Sequence, residues 1–299
     1  MFLFVQFTLG WFSHPIFNGD YSEIMKTRIR DRSLAAGLPQ SRLPEFTQEE
    51  IKRIKGTHDF FGLNHYTSAL AFPVDHGNTA SLEADIGAAT VPDPTWLDSA
   101  SVWLKVAPFG IRRLLNFIKN EYGNPPIIVT ENGVSEQGPI DLNDVHRIYY
   151  YEQYINQVLK AYLLDGVDVR GYTAWSLLDN LEWASGFSQR FGLFYVNRSD
   201  PNLARVPKSS VNFYTKVIKC NGFPDPESGH VCLNTESGAT TAPTAAPPIN
   251  INSVKFLGLD LSADDAETGL YTTFALLIVA VVGVICVSVF LFKIKKKAM

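Results

Sequence analysis

Three apolar runs, each stopping on polar side chains and each separated from the next by a helical pattern, constrain this chain most. They are "DFFGLNHYT" (59–67), "PIIVT" (126–130) with Glu131 at its tip, and "VRGYTAWSLL" (169–178). A strand buried on both faces of a sheet reads as a continuous apolar run. Over 106–122, Ile111, Leu114, Leu115 and Ile118 fall on one helical stripe that Gly123 stops. Val145, Ile148, Tyr149, Ile155, Val158, Leu159, Tyr162 and Leu163 then recur at helical spacing until Gly166. A closing helix is expected over 211–219, and "TQEE" (47–50) is a capping box opening a short one. Strands alternating with helices predict an α/β fold with a parallel sheet and helices outside it.

In such folds ligands sit at the carboxyl ends of the strands. The first end offers Asn64, His65 and Tyr66, and the second offers Glu131. The third offers Trp175, Asp179, Asn180, Glu182, Trp183, Arg190 and Phe191. Taken alone, Glu131 is a solvated carboxylate at a strand tip, and any one aromatic is core. Together they suit a carbohydrate. Aromatic faces cover the apolar face of a pyranose, and carboxylates accept hydrogen bonds from its hydroxyls.

The 299 residues carry a net charge of −4, with no basic stripe interleaved with aromatics, so nucleic acid is not an expected partner. No glycine-rich phosphate loop and no His/Cys metal spacing occurs, so no cofactor or metal is expected. Residues 270–292 hold no charged side chain over 23 positions, against about 20 needed to cross a bilayer. Asp264, Asp265 and Glu267 precede this run and four lysines follow it. That asymmetry predicts a single-pass type I span with a cytosolic tail at 293–299 and a lumenal or extracellular ectodomain. The terminal "KKAM" reads either as stop-transfer lysines or as an endoplasmic-reticulum retrieval signal, leaving that compartment and the plasma membrane both open. The Thr/Ala/Pro-rich "GATTAPTAAPP" (238–248) marks 226–269 as a stalk after a globular 1–225. The apolar start, "MFLFVQFTLGWF", has neither the basic region nor the cleavage site of a signal peptide, so an incomplete version of a longer chain is one expectation. Cys220 and Cys232 are placed for a local disulfide, and "NRS" at Asn197 is a glycosylation sequon.

"FFGLNHYT" (60–67), "TENG" (130–133), "WSLLDNLEW" (175–183) and "RFGL" (190–193) together resemble glycoside hydrolase family 1. "GWFSHPIFNGDYSEIMK" (10–26) and "RVPKSS" (205–210) strengthen the likeness. With "CNGFPDP" (220–226) ahead of a stalk, the chain is similar to the membrane-anchored lactase-phlorizin hydrolase, lactase-like and Klotho branch, the lactase-like members nearest. The resemblance implies a retaining β-glycosidase on a TIM barrel, acting on a β-linked galactoside or glucoside. It implies that Glu131 is the nucleophile and that Tyr66 supports it. Asn64 would belong to the glycone site, Trp175 to an aglycone platform, Glu182 and Trp183 to recognition of the 4- and 6-hydroxyls, and Phe191 to a pocket wall. The family's acid/base lies in an Asn-Glu-Pro motif that does not occur in the sequence. Strands 6–8 of the barrel are therefore expected, the chain beginning within the helix before strand 6 and being inactive alone. A non-enzymatic, Klotho-like binder of glycan or protein is the alternative.

Overall fold

The apolar runs become the strands of one parallel sheet. In the structure, a computed structural model, residues 2–225, 231–234, 254–256 and 259–261 are described. Helices α1 (Phe2–Phe7), α2 (Leu9–Asn18), α3 (Glu23–Ala35) and α4 (Gln48–Ile54) lead into β1 (Phe61–Asn64). A long excursion follows: β2 (Leu70–Pro73), α5 (Leu82–Ile86), β3 (Ala88–Val91), β4 (Leu97–Asp98) and β5 (Lys105–Val106). Then come α6 (Phe109–Tyr122), β6 (Ile127–Glu131), α7 (Val145–Leu163), β7 (Val169–Tyr172), β8 (Phe194–Val196), β9 (Arg205–Pro207), α8 (Ser209–Cys220) and α9 (Val231–Asn234). The sheet order is β1-β6-β7, all parallel, while β2/β3, β4/β5 and β8/β9 are antiparallel ribbons on the connections.

The sheet is buried on one face. Phe61, Leu63, Ile127 and Val129 point to the helices, whereas Gly62, Asn64 and Thr130 are exposed. This corrects the expectation of burial on both faces. The helices pack one side, and among the described residues nothing covers the other.

Helix α6 buries its expected stripe, Ile111, Leu115, Ile118 and Tyr122. Gly123, at φ 75°, caps it in the left-handed region and donates to the Lys119 carbonyl. Helix α7 departs from its expected stripe. Val145, Tyr149, Tyr162 and Leu163 are exposed, and the buried face carries Arg147, Tyr150, Tyr151, Tyr154, Ile155, Val158 and Ala161. The third strand also ends early, at Tyr172, because Thr173 onward bends into the loop that carries Trp175. Helices α1 to α3, which apolar periodicity did not single out, form a satellite core of Phe7, Met25 and Ile29, joined by Leu43 from the loop after α3.

Two units divide the chain, Met1–Glu236 and Ser237–Met299. In the second, the strands Val254–Phe256 and Leu259–Leu261 pair antiparallel. The expected span at 270–292 and tail at 293–299 lie outside the described residues, as does most of the expected stalk at 226–269. Among the described residues no helix is long and apolar enough to cross a membrane.

Candidate active site

Parallel pairing brings the candidate residues together. The register sets Asn64 beside Glu131, with an irregularity between Leu63 and Asn64. The His65 amide then donates to the Glu131 carbonyl at 2.9 Å. One residue on, the Tyr66 phenol donates to Glu131 Oε2 at 2.6 Å. Burial first, and the carboxylate's hydrogen bond and charge after it, push the Tyr66 phenol far above its ordinary value. Tyr66 is thus a donor at any physiological pH. Asn64 turns to the exposed sheet face, where its Oδ1 accepts from Thr130 Oγ1 at 2.6 Å.

The turn after Glu131 holds the third strand end. The Trp175 amide donates to the Asn132 carbonyl at 2.8 Å. A Cβ on Gly133 would lie 1.8 Å from the Trp175 carbonyl oxygen, so only glycine admits that approach. Trp175 Nε1 donates to Glu182 Oε1 at 3.3 Å. The Glu182 carboxyl is raised above the usual carboxylate range, chiefly by burial and also by the charge of Glu131, while the Trp175 N–H opposes the shift. The two carboxylates therefore share one electrostatic environment. Phe191 is buried and meets the Tyr66 ring edge to face at 6.0 Å between centroids. Trp183, beside Glu182, is 91% exposed.

Three of the polar residues read at the strand ends lie elsewhere. Asp179 is buried: its Oδ1 accepts from the Gly192 amide at 2.9 Å and from Lys208 Nζ at 3.2 Å. Lys208 Nζ also donates to Glu136 Oε1 at 2.6 Å, and burial, with Arg147 nearby, lowers its amine below the usual lysine range. Arg190 lies 3.5 Å from the same Glu136 carboxylate. Asp179 and Arg190 thus fasten the loop bearing Glu182 and Phe191. His65 is buried behind the sheet end, where desolvation lowers its imidazole to about 4.

Trp103 was not anticipated. Half exposed on the β4/β5 connection, it packs edge to face on Tyr66 at 5.8 Å. Its only sequence signal is a tryptophan in an irregular segment. Tyr150, Tyr151 and Tyr154 of α7 were likewise missed, because periodicity weighs apolarity and not hydroxyl groups. Cys220 and Cys232 are joined in a disulfide with Cα atoms 5.0 Å apart. Asn197 sits at the β8/β9 turn, its side-chain oxygen accepting from the Ser199 amide at 3.1 Å. Among the described residues no three His, Cys, Asp or Glu side chains are grouped to hold a metal ion.

The model of glycosyl hydrolase family 1 matches residues 2–223. Human lactase/phlorizin hydrolase is 56% identical over 288 residues, which are 95% of this chain and 15% of that protein. Human lactase-like protein is 46% identical over 228 residues, 75% of this chain and 40% of that protein. The solved structure of aphid myrosinase superposes with a TM-score of 0.65 at 42% identity, covering 72% of this chain and 46% of that one. The chain therefore spans less than half the length of each of these relatives. On the family match and these identities, with three parallel strands and their helices as its share of a (β/α)8 barrel, the chain belongs to glycosyl hydrolase family 1.

Proposed function

We propose that the chain is the nucleophile-bearing part of a membrane-anchored, retaining β-glycosidase. The observation that carries this reading is the 2.6 Å bond from Tyr66 to Glu131 at adjoining parallel strand ends. A carboxylate with one oxygen held by a phenol keeps the other for attack. It would add to the anomeric carbon of a β-linked glucoside or galactoside as the bond to the aglycone oxygen breaks. The resulting glycosyl ester is then hydrolysed by water. Glu182 and Trp183 are assigned to the sugar's 4- and 6-hydroxyls, Trp175 to the aglycone side, Phe191 to the pocket wall and Asn64 to the glycone side. Lys293, Lys295, Lys296 and Lys297 support a type I orientation for the span, which puts Asn197 on the glycosylated side, in the endoplasmic reticulum or at the cell surface.

Retaining hydrolysis needs a second carboxyl about 5–5.5 Å from the nucleophile to protonate the leaving oxygen. The sequence has no Asn-Glu-Pro to supply it, and we assign the 299-residue chain no ordinary turnover by itself. A dinitrophenolate leaving group requires no such proton. The 2,4-dinitrophenyl 2-deoxy-2-fluoro-β-glucoside and -galactoside should therefore ester-link to Glu131, found by mass on the tryptic peptide and missing in Glu131→Gln. Absence of label in the wild-type chain, or label on another residue, would overturn the reading and favour a sugar- or protein-binding role.

A further inference from the structure

The buried face of α7 is not a plain core face. Tyr150, Tyr151 and Tyr154 are all fully buried. A buried hydroxyl destabilises a fold unless it is hydrogen-bonded. These three phenols find their partners at the strand ends of the candidate site. Tyr150 Oη donates to the Tyr66 carbonyl at 2.6 Å, and Tyr154 Oη donates to the same carbonyl at 3.0 Å. Tyr151 Oη donates to the Trp175 carbonyl at 3.0 Å. Asn132, next to Glu131 and fully buried, completes the hub. Its Nδ2 donates to the His65 carbonyl at 2.6 Å and to Tyr150 Oη at 2.9 Å, and its Oδ1 accepts from Tyr172 Oη. Tyr154 Oη in turn accepts from the Ala107 amide at 3.1 Å.

Two donors on one carbonyl use both of its lone pairs. The carbonyl so held belongs to the residue whose phenol bonds Glu131. We propose that Tyr150 and Tyr154 are positioning residues for the Tyr66–Glu131 pair. By fixing the peptide of Tyr66 they aim its phenol at the carboxylate. Asn132 ties the preceding carbonyl, that of His65, and the Tyr150 hydroxyl to the backbone following Glu131, and Tyr151 holds the Trp175 carbonyl. This rests on Glu131 being the reacting carboxylate. The competing explanation is that the phenols only stabilise the core.

The two explanations separate in a cycle on the full chain, using the dinitrophenyl 2-fluoro glycosides as probes. Tyr150→Phe and Tyr154→Phe each leave one donor on the Tyr66 carbonyl, so each should slow labelling of Glu131 by only about threefold. The double variant should slow it roughly ten- to a hundredfold, because loss of alignment acts steeply on a near-attack geometry. In a Tyr66→Phe background the double variant should add nothing further, since its route to Glu131 is gone. Tyr149→Phe, on the exposed side of the same helix, should label like wild type. Amide exchange in α6 checks that the variants are folded. If the double variant does not fold, the single variants in both backgrounds give the same comparison.

Equal labelling by the folded double variant, or an undiminished loss in the Tyr66→Phe background, would leave the phenols as core and overturn the proposal. If the wild-type chain takes no label, the nucleophile reading fails and amide exchange decides the positioning claim. Faster exchange confined to residues 65–67 in the double variant upholds it, and uniform acceleration across the sheet and α6 rejects it.

Discussion

His65 and Tyr66 are neighbours with opposite fates. Tyr66 points to Glu131, while His65 turns into the helices and is nine-tenths buried, with its Nδ1 lacking a hydrogen-bond partner among the described residues. Its imidazole is lowered from 6.5 to about 4 by desolvation. The unfolded chain then takes up this proton at a higher pH than the folded one does. Its contribution to stability is complete above 6.5 and is lost as pH falls towards 4. At about 1.36 kcal/mol per pH unit, the loss over that window is about 3 kcal/mol. Urea midpoints measured from pH 7 to pH 4 should therefore fall less steeply for His65→Gln than for wild type. Parallel slopes would mean that His65 is hydrated in solution.

Elements explain what the residues alone do not. The loop from Thr173 to Leu193 carries most of the sugar-facing candidates, yet it holds no regular structure beyond a short turn at Trp183–Ser185. It is held instead by charge. Lys208 precedes α8, Glu136 follows β6, Arg147 lies in the first turn of α7, and Asp179 sits in the loop itself. Their side chains are all nearly or fully buried. Breaking a buried ion pair by removing one partner strands the other, at about 3–5 kcal/mol. Lys208→Met should lower stability by that amount in urea unfolding, the more so because two carboxylates lose a cation at once. A change within about 0.5 kcal/mol would show that Arg147 and Arg190 neutralise the cluster without it.

The same elements mark what could be read from the sequence. The three strands were legible because each is an apolar run with a polar stop, and α6 because its stripe is aliphatic. The phase of α7 was not, since Val145, Tyr149, Tyr162 and Leu163 look more apolar than the face that is buried. That face contains an arginine and three tyrosines, and the three phenols donate to carbonyls distant in sequence. Tyr150 and Tyr66 are 84 residues apart, a contact no local pattern encodes. Asp179 and Arg190 were misplaced for the same reason. A charge near a strand end looks like a ligand contact until a distant partner takes it up, Lys208 from 29 residues further on for Asp179 and Glu136 for Arg190. Glu131, Tyr66 and the support of one by the other were legible through motif resemblance alone; the parallel register that sets them side by side is seen only in the structure.

At the scale of the molecule the sheet is the decisive element. Among the described residues β1 and β7 each pair only with β6, so each keeps one edge unpaired, and Asn64 and Thr130 lie exposed on the uncovered face. Parallel sheets are ordinarily covered on both faces. A sugar bound at these strand ends would have protein on one side and water on the other. Water there screens the charge that builds on the departing oxygen and on the anomeric carbon, where an enclosed site would stabilise it. Together with the absence of an Asn-Glu-Pro motif from the sequence, this sets the expectation for the 299-residue chain by itself. It should hydrolyse 4-nitrophenyl β-glucoside and β-galactoside no faster than its Glu131→Gln variant. The leaving group matters to the comparison, because nitrophenolate departs with less help than an alkyl alcohol and so gives the chain its best chance. Turnover that is clearly above background and lost in Glu131→Gln would overturn this expectation, and the same result with methyl β-glucoside, whose leaving group needs a proton, would mean that a second proton donor operates within these residues. Glu182 would then be the first side chain to replace, since it is the carboxyl already raised by burial and by the charge of Glu131.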